Sequence, residues 1–258
     1  MESEQHNHNV ITPPCDFCQN AKPLDFQFDY AYQPIVDYGN KQIFGYEALV
    51  RGCQGESAFS VLSKISEENR YSFDQACRIK AVKGAASLGI TGKLSINFMP
   101  NAVYDPTTCI QSTFKAAREY NFPIEQIIFE VTEDEKVMDK NHLVNIFREY
   151  KRFGFMTALD DFGSGFSGLN FLADYQPDIL KIDMYLIRDI NCSRPKQAIL
   201  RGIVAMCREL NIQVLAEGIE TKAERDFLHS LGITLMQGFW FAKPVFKGLG
   251  HIDASAWN

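Results

Sequence analysis

The chain has 258 residues, of which 46% are hydrophobic and 22% charged, and its formal net charge is −6. Its 20 Phe and 10 Tyr supply enough apolar surface for a folded core, which excludes disorder for most of the chain. The acidic balance argues against a protein that binds duplex nucleic acid. No apolar run approaches the ~20 residues of a membrane span, so we expect no membrane contact.

The first 22 residues have the composition of a flexible N-terminal tail. They contain a CxxC pair, Cys15 and Cys18, with His6 and His8 nearby. These are zinc-ligand types, but a terminal stretch without a second spaced pair makes a weak zinc site. Incidental thiols on a tail are the simpler interpretation. The seven cysteines are scattered and no secretory signal precedes them, which favours reduced thiols in a cytoplasmic protein.

Residues 23–258 alternate between strand-like and helix-like patterns. Residues 28–37 and 42–51 flank a Tyr-Gly-Asn turn and predict a β-hairpin. Residues 57–89 have helical spacing of apolar side chains, and further strand patterns then alternate with amphipathic segments. These strands read KLSINF, QIIFEVTE, FMTALDDF, DILKID, QVLAEG and TLMQG. Repeats of about 25–35 residues predict one α/β domain, a (β/α)8 barrel, with a doubly wound sheet as the alternative.

Most predicted strands carry an acidic or amide side chain near the carboxyl end. In a barrel these ends converge on one rim, so the side chains would form one site. Carboxylates at such short range need a counter-charge, and an all-oxygen ligand set favours Mg²⁺ or Mn²⁺ over zinc. Adjacent Asp160 and Asp161 suit a bridge between two ions about 3.5–4 Å apart. The other residues of the set are Glu47, Asn97, Glu130, Glu133, Lys181, Asp183, Glu217, Glu220 and Gln237.

Each of these residues also has a structural interpretation. An isolated Glu or Asp at a strand end is more often a helix N-cap or a solvated loop residue. Lys181 alone suits an ion pair, and Gln237 alone suits a loop cap. Recurrence on successive strands favours the common site, in which Lys181 and Arg51 would serve as cations for phosphate or water.

The order of these motifs resembles the EAL-domain family of cyclic di-GMP phosphodiesterases. YEALVRG at residues 46–52 contains the motif that names the family, and the resemblance covers about residues 25–247. It implies a modified TIM barrel whose first strand is antiparallel to the rest. It also implies hydrolysis of cyclic di-GMP to linear pGpG with two Mg²⁺ or Mn²⁺ ions. The other matching motifs are AYQPIVD (31–37), INF (96–98), FEVTE (129–133), DDFGSGFSGL (160–169), KID (181–183), AEGIE (216–220) and QGFWFAKP (237–244).

The resemblance implies a role for each matching residue. Glu217 matches the family's proposed general base or second-site partner, and Lys181 matches the lysine that holds the hydrolytic water. Gln237 matches an active-site amide, and Glu133 matches the glutamate that holds the loop after Asp161. The implied substrate-binding residues are Gln33, Leu49, Arg51 and Asp183. The implied metal ligands are Glu47, Asn97, Glu130, Asp160 and Asp161.

The family contains active enzymes and degenerate members that only bind ligand or protein. Every metal and water-positioning residue is kept here, which favours the enzyme. A catalytically silent cyclic di-GMP receptor or protein-interaction module is the alternative, and a barrel acting on another phosphate ester is a third. The resemblance also implies a homodimer, and it implies that the loop at 162–169 takes part in metal binding and in dimerisation. We expect a stand-alone enzyme; a piece of a longer protein is the other interpretation.

An aromatic run, Phe239-Trp240-Phe241, follows Gln237. Such a cluster can stack on a guanine base or pack the barrel against its last helix. Packing is the interpretation that we favour from sequence.

Overall fold

The computed structural model describes residues 21–132, 140–165 and 168–258. Within them a nine-stranded sheet closes into a barrel. The strands are β1 (Asp29–Asp37), β2 (Gln42–Arg51), β3 (Lys93–Asn97), β4 (Ile127–Thr132), β5 (Met156–Phe162), β6 (Ile179–Ile182), β7 (Gln213–Ala216), β8 (Leu235–Met236) and β9 (Val245–Phe246). The helices are α1 (Ala58–Leu62), α2 (Arg70–Ser87), α3 (Pro106–Cys109), α4 (Gln111–Glu119), α5 (Lys140–Arg152), α6 (Gly168–Asp174), α7 (Met184–Ile187), α8 (Arg194–Glu209) and α9 (Lys222–Ser230).

The first strand closes the barrel in the reverse direction. Strands β2 to β8 are parallel and follow one another in chain order. Strand β1 pairs antiparallel with β2 on one edge. On its other edge it pairs antiparallel with β8 and, further along, with β9. The modified TIM barrel with an antiparallel first strand is therefore confirmed, and the doubly wound sheet is excluded.

The barrel interior changes from apolar to polar along each strand. Its apolar part is a cluster of six buried side chains, one each from β1 and from β4 to β8. Because side chains on one strand face recur every two residues, the next inward position carries a polar group. Ile128 is thus followed by Glu130, and Ile179 by Lys181. The six apolar residues are Ile35, Ile128, Ala158, Ile179, Leu215 and Leu235.

The outward strand face packs against the helices. Phe129 and Val131 alternate with the inward residues of β4 and belong to the larger apolar cluster between barrel and helices. Buried Arg78 of α2 lies in this layer, where it pairs with Asp74 at 2.8 Å and contacts the Tyr150 hydroxyl at 2.7 Å. This layer holds the strands in place, so the polar layer inside the barrel has fixed walls.

The helical segment at 57–89 is divided in two. It forms α1 and α2, with a turn between them. The Asn69 side chain accepts a hydrogen bond from the Ser66 amide at 2.8 Å and donates one to the Lys64 carbonyl at 3.0 Å. An Asn side chain that satisfies backbone groups in this way stabilises a turn against a helix. None of the helices within the described residues is long and apolar enough to cross a membrane.

Candidate active site

The candidate active site is the polar layer at the carboxyl ends of the parallel strands. Its members lie on the same inward faces as the six apolar residues, two positions later in the chain on the parallel strands. Since β1 runs in the opposite direction, it contributes the residue two positions earlier. This relation brings together side chains from six strands and the loops that follow them. They are Gln33, Glu130, Asp160, Lys181, Glu217 and Gln237.

A buried lysine lies at the centre of the layer. Lys181 Nζ is 2.9 Å from Glu217 Oε1, 3.0 Å from Asp160 Oδ1 and 3.1 Å from Glu130 Oε2. Glu47 Oε1 is 3.6 Å away. The Lys181 side chain is only 2% exposed, so these interactions are weakly screened by solvent. The predicted convergence of carboxylates and Lys181 at one site is therefore present.

The carboxylates form two overlapping groups with the spacing of metal ligands. Glu47, Glu130 and Asp160 form the first group, and Asp160, Asp161 and Glu217 form the second. Within each group the candidate ligand oxygens lie within 4.8 Å of one another. Asp160 is common to both, as expected for a ligand that bridges two ions about 3.5–4 Å apart.

Two amide side chains orient the first group. Asn97 Nδ2 donates to Glu130 Oε1 at 2.8 Å and contacts Glu47 Oε1 at 3.4 Å. Gln237 Nε2 donates to Glu47 Oε2 at 2.7 Å. Hydrogen bonds to the second oxygen of a ligating carboxylate fix its orientation, as outer partners do in metal sites.

A backbone irregularity places Asp160 and Asp161 at the same cavity. Consecutive residues of a regular strand point to opposite faces, but β5 loses its register with β6 between Leu159 and Phe162. Asp161 has φ +54°, in the left-handed region that Asp adopts more readily than most residues. The Asp161 amide donates to Asp160 Oδ1 at 2.9 Å. The bend allows both carboxylates to line one cavity.

The electrostatics of the site show an excess of negative charge. Burial and the charge of Asp160 raise the pKa of Glu217 well above its usual value. Burial also raises the pKa of Glu130 well above the usual range, against the opposing effect of Lys181. Burial and Asp160 raise the pKa of Asp161 to about 6. One ammonium group thus offsets only part of the acidic charge.

Glu47 behaves differently from the other carboxylates. Burial acts to raise its pKa, but Lys181 and the hydrogen bond from Gln237 outweigh that effect and lower the pKa. The site therefore contains an ionised carboxylate beside others that hold protons more tightly in the absence of further positive charge. Divalent cations would supply that charge, and the oxygen-rich donor set fits Mg²⁺, Mn²⁺ or Ca²⁺.

Two adjoining cavities open at the carboxylate layer. The first, of about 440 Å³, contains the acidic groups together with Gln33, Asp183 and Phe239. The second, of about 340 Å³, is more apolar and is lined in part by Leu49 and Arg51. Both cavities are lined by Asn97 and Thr132, which lie where they meet. An elongated ligand could therefore extend from the acidic cavity into the apolar one.

The predicted residues occupy three kinds of position. Leu49 and Arg51 line the second cavity, and Arg51 Nη1 donates to the Val50 carbonyl at 2.7 Å. Asp183 lines the first cavity and also caps α7, because its Oδ1 accepts from the Tyr185 amide at 2.8 Å. Glu133 lies outside the described residues, as does the CxxC pair. The remaining predicted site residues lie in the carboxylate layer or line the first cavity.

Sequence reasoning missed two residues of the layer. Ser95 lies inside the barrel and donates a short hydrogen bond to Glu130 Oε2. Thr132 lies one inward position beyond Glu130, where the two cavities meet. The alternation of side chains along a strand could have identified both residues, since Ser95 precedes Asn97 by two residues and Thr132 follows Glu130 by two. Neither is acidic, so a search for carboxylates passes over them.

The aromatic run after Gln237 is packed only in part. Phe241 is buried, and Trp240 is partly buried with its indole N–H donating to the Ala256 carbonyl at 3.3 Å. Phe239 is 52% exposed and lines the first cavity. The packing expected for the whole aromatic run therefore holds for Trp240 and Phe241 and is wrong for Phe239.

Comparison with solved structures identifies close relatives of this fold. A crystal structure described as a standalone versatile EAL protein from Vibrio cholerae O395, in its c-di-GMP bound form, is 54% identical with a TM-score of 0.88. The match covers 91% of this chain and 99% of that one. A Klebsiella pneumoniae BlrP1 manganese/cy-diGMP complex at pH 9.0 is 35% identical with a TM-score of 0.82, covering 90% of this chain and 60% of that one.

Curated relatives carry two kinds of name. The blue light- and temperature-regulated antirepressor BluF of Escherichia coli K12 is 32% identical over 92% of this chain. The probable cyclic di-GMP phosphodiesterase PdeG of the same organism is 32% identical over 83% of this chain. The chain spans only 59% of the length of BluF and 44% of that of PdeG. The EAL domain model matches residues 19–244, and the chain belongs to that family.

Proposed function

We propose that the protein is a cyclic-guanylate phosphodiesterase that hydrolyses cyclic di-GMP to linear pGpG with two divalent ions, Mg²⁺ or Mn²⁺. The observation that carries this proposal is the pair of overlapping carboxylate groups around Lys181. Relatives named as phosphodiesterases and neighbours solved with cyclic di-GMP support the choice of substrate. An acidic site with uncompensated charge suits metal-assisted hydrolysis of a phosphodiester.

The donor set assigns the ions to the two carboxylate groups. Glu47, Asn97, Glu130 and Asp160 would hold one ion, and Asp160 and Asp161 the other, with Glu217 beside them. When bound, the ions supply Lewis acidity at the phosphoryl oxygens and favour ionisation of water. Gln237 keeps Glu47 in orientation through its 2.7 Å hydrogen bond. The site would thus retain its geometry before the ions arrive.

Glu217 and Lys181 would act on the attacking water. Burial raises the pKa of Glu217, so this carboxylate is a stronger base than an exposed one. It would accept the proton that the water loses as the new phosphorus–oxygen bond forms. The ammonium of Lys181 would hold the water in line with the departing 3′-oxygen. That oxygen would take up a proton from solvent as its bond to phosphorus breaks, and Glu217 would return the proton that it accepted to solvent.

The two cavities suit the two halves of a cyclic dinucleotide. The scissile phosphate would lie at the carboxylates, in the cavity lined by Gln33 and Asp183. The other half would enter the apolar cavity beside Leu49, with Arg51 near its phosphate. A guanidinium suits phosphate because it donates in a planar fork. Glu133 would hold the loop that follows Asp161.

We further propose the domain organisation and assembly. Residues 1–22 would be a flexible tail, and residues 23–258 the phosphodiesterase domain, in a cytoplasmic protein. The protein would form a homodimer through the segments that follow β5 and β6. Supporting this, Leu169, Met184 and Tyr185 of those segments are apolar and exposed.

A catalytically silent receptor or interaction module is the second candidate function. The observation that favours it is the similarity to BluF, whose name describes an antirepressor. The two overlapping carboxylate groups, whose geometry fits two ions, favour hydrolysis over that alternative. The two candidates predict different products when protein and cyclic di-GMP are mixed.

The deciding experiment measures turnover of cyclic di-GMP by chromatography, with Mg²⁺ or Mn²⁺ and with chelator. We expect pGpG from the unmodified protein, and a loss of about 100-fold or more in Glu47→Ala, which removes a proposed metal ligand. Glu67→Ala, at an exposed glutamate remote from the layer, is the control. Tight binding without turnover would instead support the receptor. Neither binding nor turnover would reject both the enzyme and the receptor and leave the protein-interaction module.

A further inference from the structure

The short helix α7 lies between the two loops that carry the second carboxylate group. A Cβ at Gly163, in the loop after β5, would lie 2.5 Å from Leu186 Cδ1. A Cβ at Gly218, in the loop after β7, would lie 2.3 Å from Met184 Cβ. The helix therefore packs directly on the backbone of both loops, and the distance between their carboxylates depends on where α7 lies.

A buried glutamate of α9 joins the segment that carries α7 to the loop after β7. Glu224 is only 1% exposed. Its Oε1 accepts a hydrogen bond from the Asp189 amide at 2.9 Å, two residues beyond the end of α7. Its Oε2 accepts from the amides of Glu220 and Thr221, each at 3.0 Å. One carboxylate thus holds backbone groups of both segments.

Helix capping explains only half of these hydrogen bonds. The Thr221 hydroxyl accepts from the Glu224 amide at 3.2 Å, and the two residues form a capping box at the start of α9. That motif uses Oε2 and leaves Oε1 free for the Asp189 amide. Burial acts to raise the pKa of Glu224, but the hydrogen bonds from the backbone amides outweigh it and lower the pKa. The carboxylate is therefore ionised at neutral pH, and both oxygens act as charged acceptors.

A surface ion pair links the same two segments. Arg188 Nη1 lies 2.6 Å from Glu220 Oε2, and Nη2 donates to Oε1 of the same carboxylate at 2.6 Å. Both side chains are partly exposed, so solvent screens this pair more than it screens the buried hydrogen bonds of Glu224. Glu224 is therefore the stronger of the two links.

We propose that Glu224 is a positioning residue for the second metal ion, because its link between the two segments sets the position of Glu217 relative to Asp161. This inference rests on the proposed function, since it assumes that two ions bind at the carboxylates. Glu224 lines neither cavity and would act only through the loops that it joins. The first carboxylate group lies within strands β2, β4 and β5, so the link has no bearing on its geometry.

Two variants separate the link from the helix cap. Glu224→Gln keeps one acceptor oxygen, which satisfies the amides of Glu220 and Thr221, and turns its amide nitrogen toward the Asp189 amide. This variant therefore keeps the cap and loses the link. Thr221→Ala is the matched control, because it removes the capping hydroxyl and leaves the hydrogen bonds to the Glu224 carboxylate in place.

The measurements follow metal binding separately from turnover. Titration calorimetry with Mn²⁺ gives the affinity for each ion, and thermal denaturation in chelator gives the stability of the metal-free protein. Electron paramagnetic resonance reports whether the ions are paired: two Mn²⁺ ions that share a bridging carboxylate are spin-coupled, whereas an isolated ion keeps its own hyperfine pattern. Turnover of cyclic di-GMP is measured in parallel.

The expected effect of Glu224→Gln is selective for one ion. The unmodified protein binds two Mn²⁺ ions and gives the coupled spectrum. In Glu224→Gln the affinity for the second ion falls about 10- to 100-fold, as for other outer partners of metal ligands, and the affinity for the first is unchanged. At two equivalents of Mn²⁺ this variant shows the spectrum of an isolated ion. Thr221→Ala has a lower Tm in chelator but binds both ions like the unmodified protein.

Failure of this inference is distinct from failure of the proposed function. Turnover by the unmodified protein, with both ions bound equally well in Glu224→Gln, would overturn the positioning role and leave the phosphodiesterase in place. So would an equal loss of the second ion in Thr221→Ala, because lower stability alone would then explain it. Selective loss of the second ion in a protein that never turns substrate over would support positioning and reject hydrolysis. If the unmodified protein binds fewer than two Mn²⁺ ions, both proposals are wrong.

Discussion

At the scale of single residues, the environment of Lys181 would link the stability of the protein to the proposed metal binding. Its ammonium contacts four carboxylates inside the barrel. Together they raise the pKa of Lys181 well above its usual value, although burial alone acts to lower it. The lysine therefore remains charged and serves as the internal counter-ion of the metal-free protein.

We expect Lys181→Met to destabilise the metal-free protein by about 3–5 kcal/mol, because removing one partner of a buried ion pair leaves uncompensated charge. Mn²⁺ supplies replacement charge, so the loss in Tm is smaller with Mn²⁺ than in chelator. Thermal denaturation under both conditions measures the difference. Lys247→Met is the control: its exposed pair with Asp29, at 2.9 Å, is worth about 0–1 kcal/mol. Equal losses in Tm with and without Mn²⁺ would contradict this role.

In the proposed metal site, protons and metal ions would compete for Asp161. Its pKa is raised to about 6, so the carboxyl is ionised above that pH and protonated below it. Metal binding requires the ionised form. We expect Mn²⁺ affinity, measured by titration calorimetry, to fall about fivefold between pH 6 and pH 5 through this group alone, because the ionised fraction of Asp161 falls from about one half to about one tenth.

Asp161→Asn tests the assignment of that proton. The variant binds Mn²⁺ more weakly at neutral pH but loses the part of the pH dependence that Asp161 contributes. Glu130 and Glu217, whose pKa values are also raised, keep a residual dependence of the same sign. An affinity that stays flat from pH 7 to pH 5 in the unmodified protein would exclude this competition.

The residue types of the site could be predicted from sequence, but their local geometry could not. Carboxylates that recur at strand ends indicated Glu47, Asp160 and Glu217. The bend that turns Asp161 toward the same cavity depends on its positive φ and on the lost register with β6, and no side-chain pattern encodes these directly. The structural interpretation of an acidic residue as an N-cap is also realised, at Asp183.

At the scale of elements, close contact between two loops holds the substrate side of the site. Gly238 lies against the backbone of Ile219, with no room for a Cβ. We expect Gly238→Ala to lower both stability and turnover, because the displaced segment carries Gln237 and with it the hydrogen bond to Glu47. Chemical denaturation and the turnover assay measure the two effects.

Gly202→Ala is the matched glycine substitution. Gly202 lies within α8, and a Cβ there meets no atom within 4 Å. Alanine in a helix interior is favoured over glycine by about 1 kcal/mol, so this variant gains stability and keeps its turnover. If Gly238→Ala proved as stable and active as Gly202→Ala, the close contact at Gly238 would contribute to neither stability nor turnover.

The spacing of apolar residues predicted whether a segment is a strand or a helix where the segment was long. The strand patterns predicted from KLSINF to QVLAEG correspond to β3 to β7. Strand β9 has two residues, too few for a periodic signal, and owes its conformation to pairing with β1. The turn between α1 and α2 depends on one Asn side chain, which apolar spacing does not reveal.

At the scale of the whole molecule, exposed apolar side chains point to self-association. Tyr185 is 71% exposed and Leu169 65% exposed, in segments that follow adjacent strands of the barrel. We expect analytical ultracentrifugation to show a dimer that Tyr185→Glu converts to monomer, because a buried unpaired charge opposes association. Phe59→Glu changes an equally apolar exposed site elsewhere and leaves the dimer intact. A monomer at all concentrations would reject the proposed dimer.

The fold class could be predicted because the same unit recurs along the chain. Repeated strand and helix patterns are typical of a barrel, and the connection between consecutive parallel strands follows from it. The reversal of β1 came from family resemblance, since the hairpin pattern alone fixes its pairing with β2 and says nothing of β8. Closure of the barrel depends on the pairing of β1 with β8, and these strands are far apart in the chain.

Closure by β1 has a consequence for how the protein is made. Gln237 and Glu47 are 190 positions apart in the chain, and Gln33 and Ala242 are 209 apart, yet each pair is joined by a hydrogen bond. Contacts of such high sequence separation form late, because the entropy of closing a long loop must be overcome first. A chain emerging from the ribosome therefore cannot close its barrel, or join Gln237 to Glu47, before β8 has been synthesised.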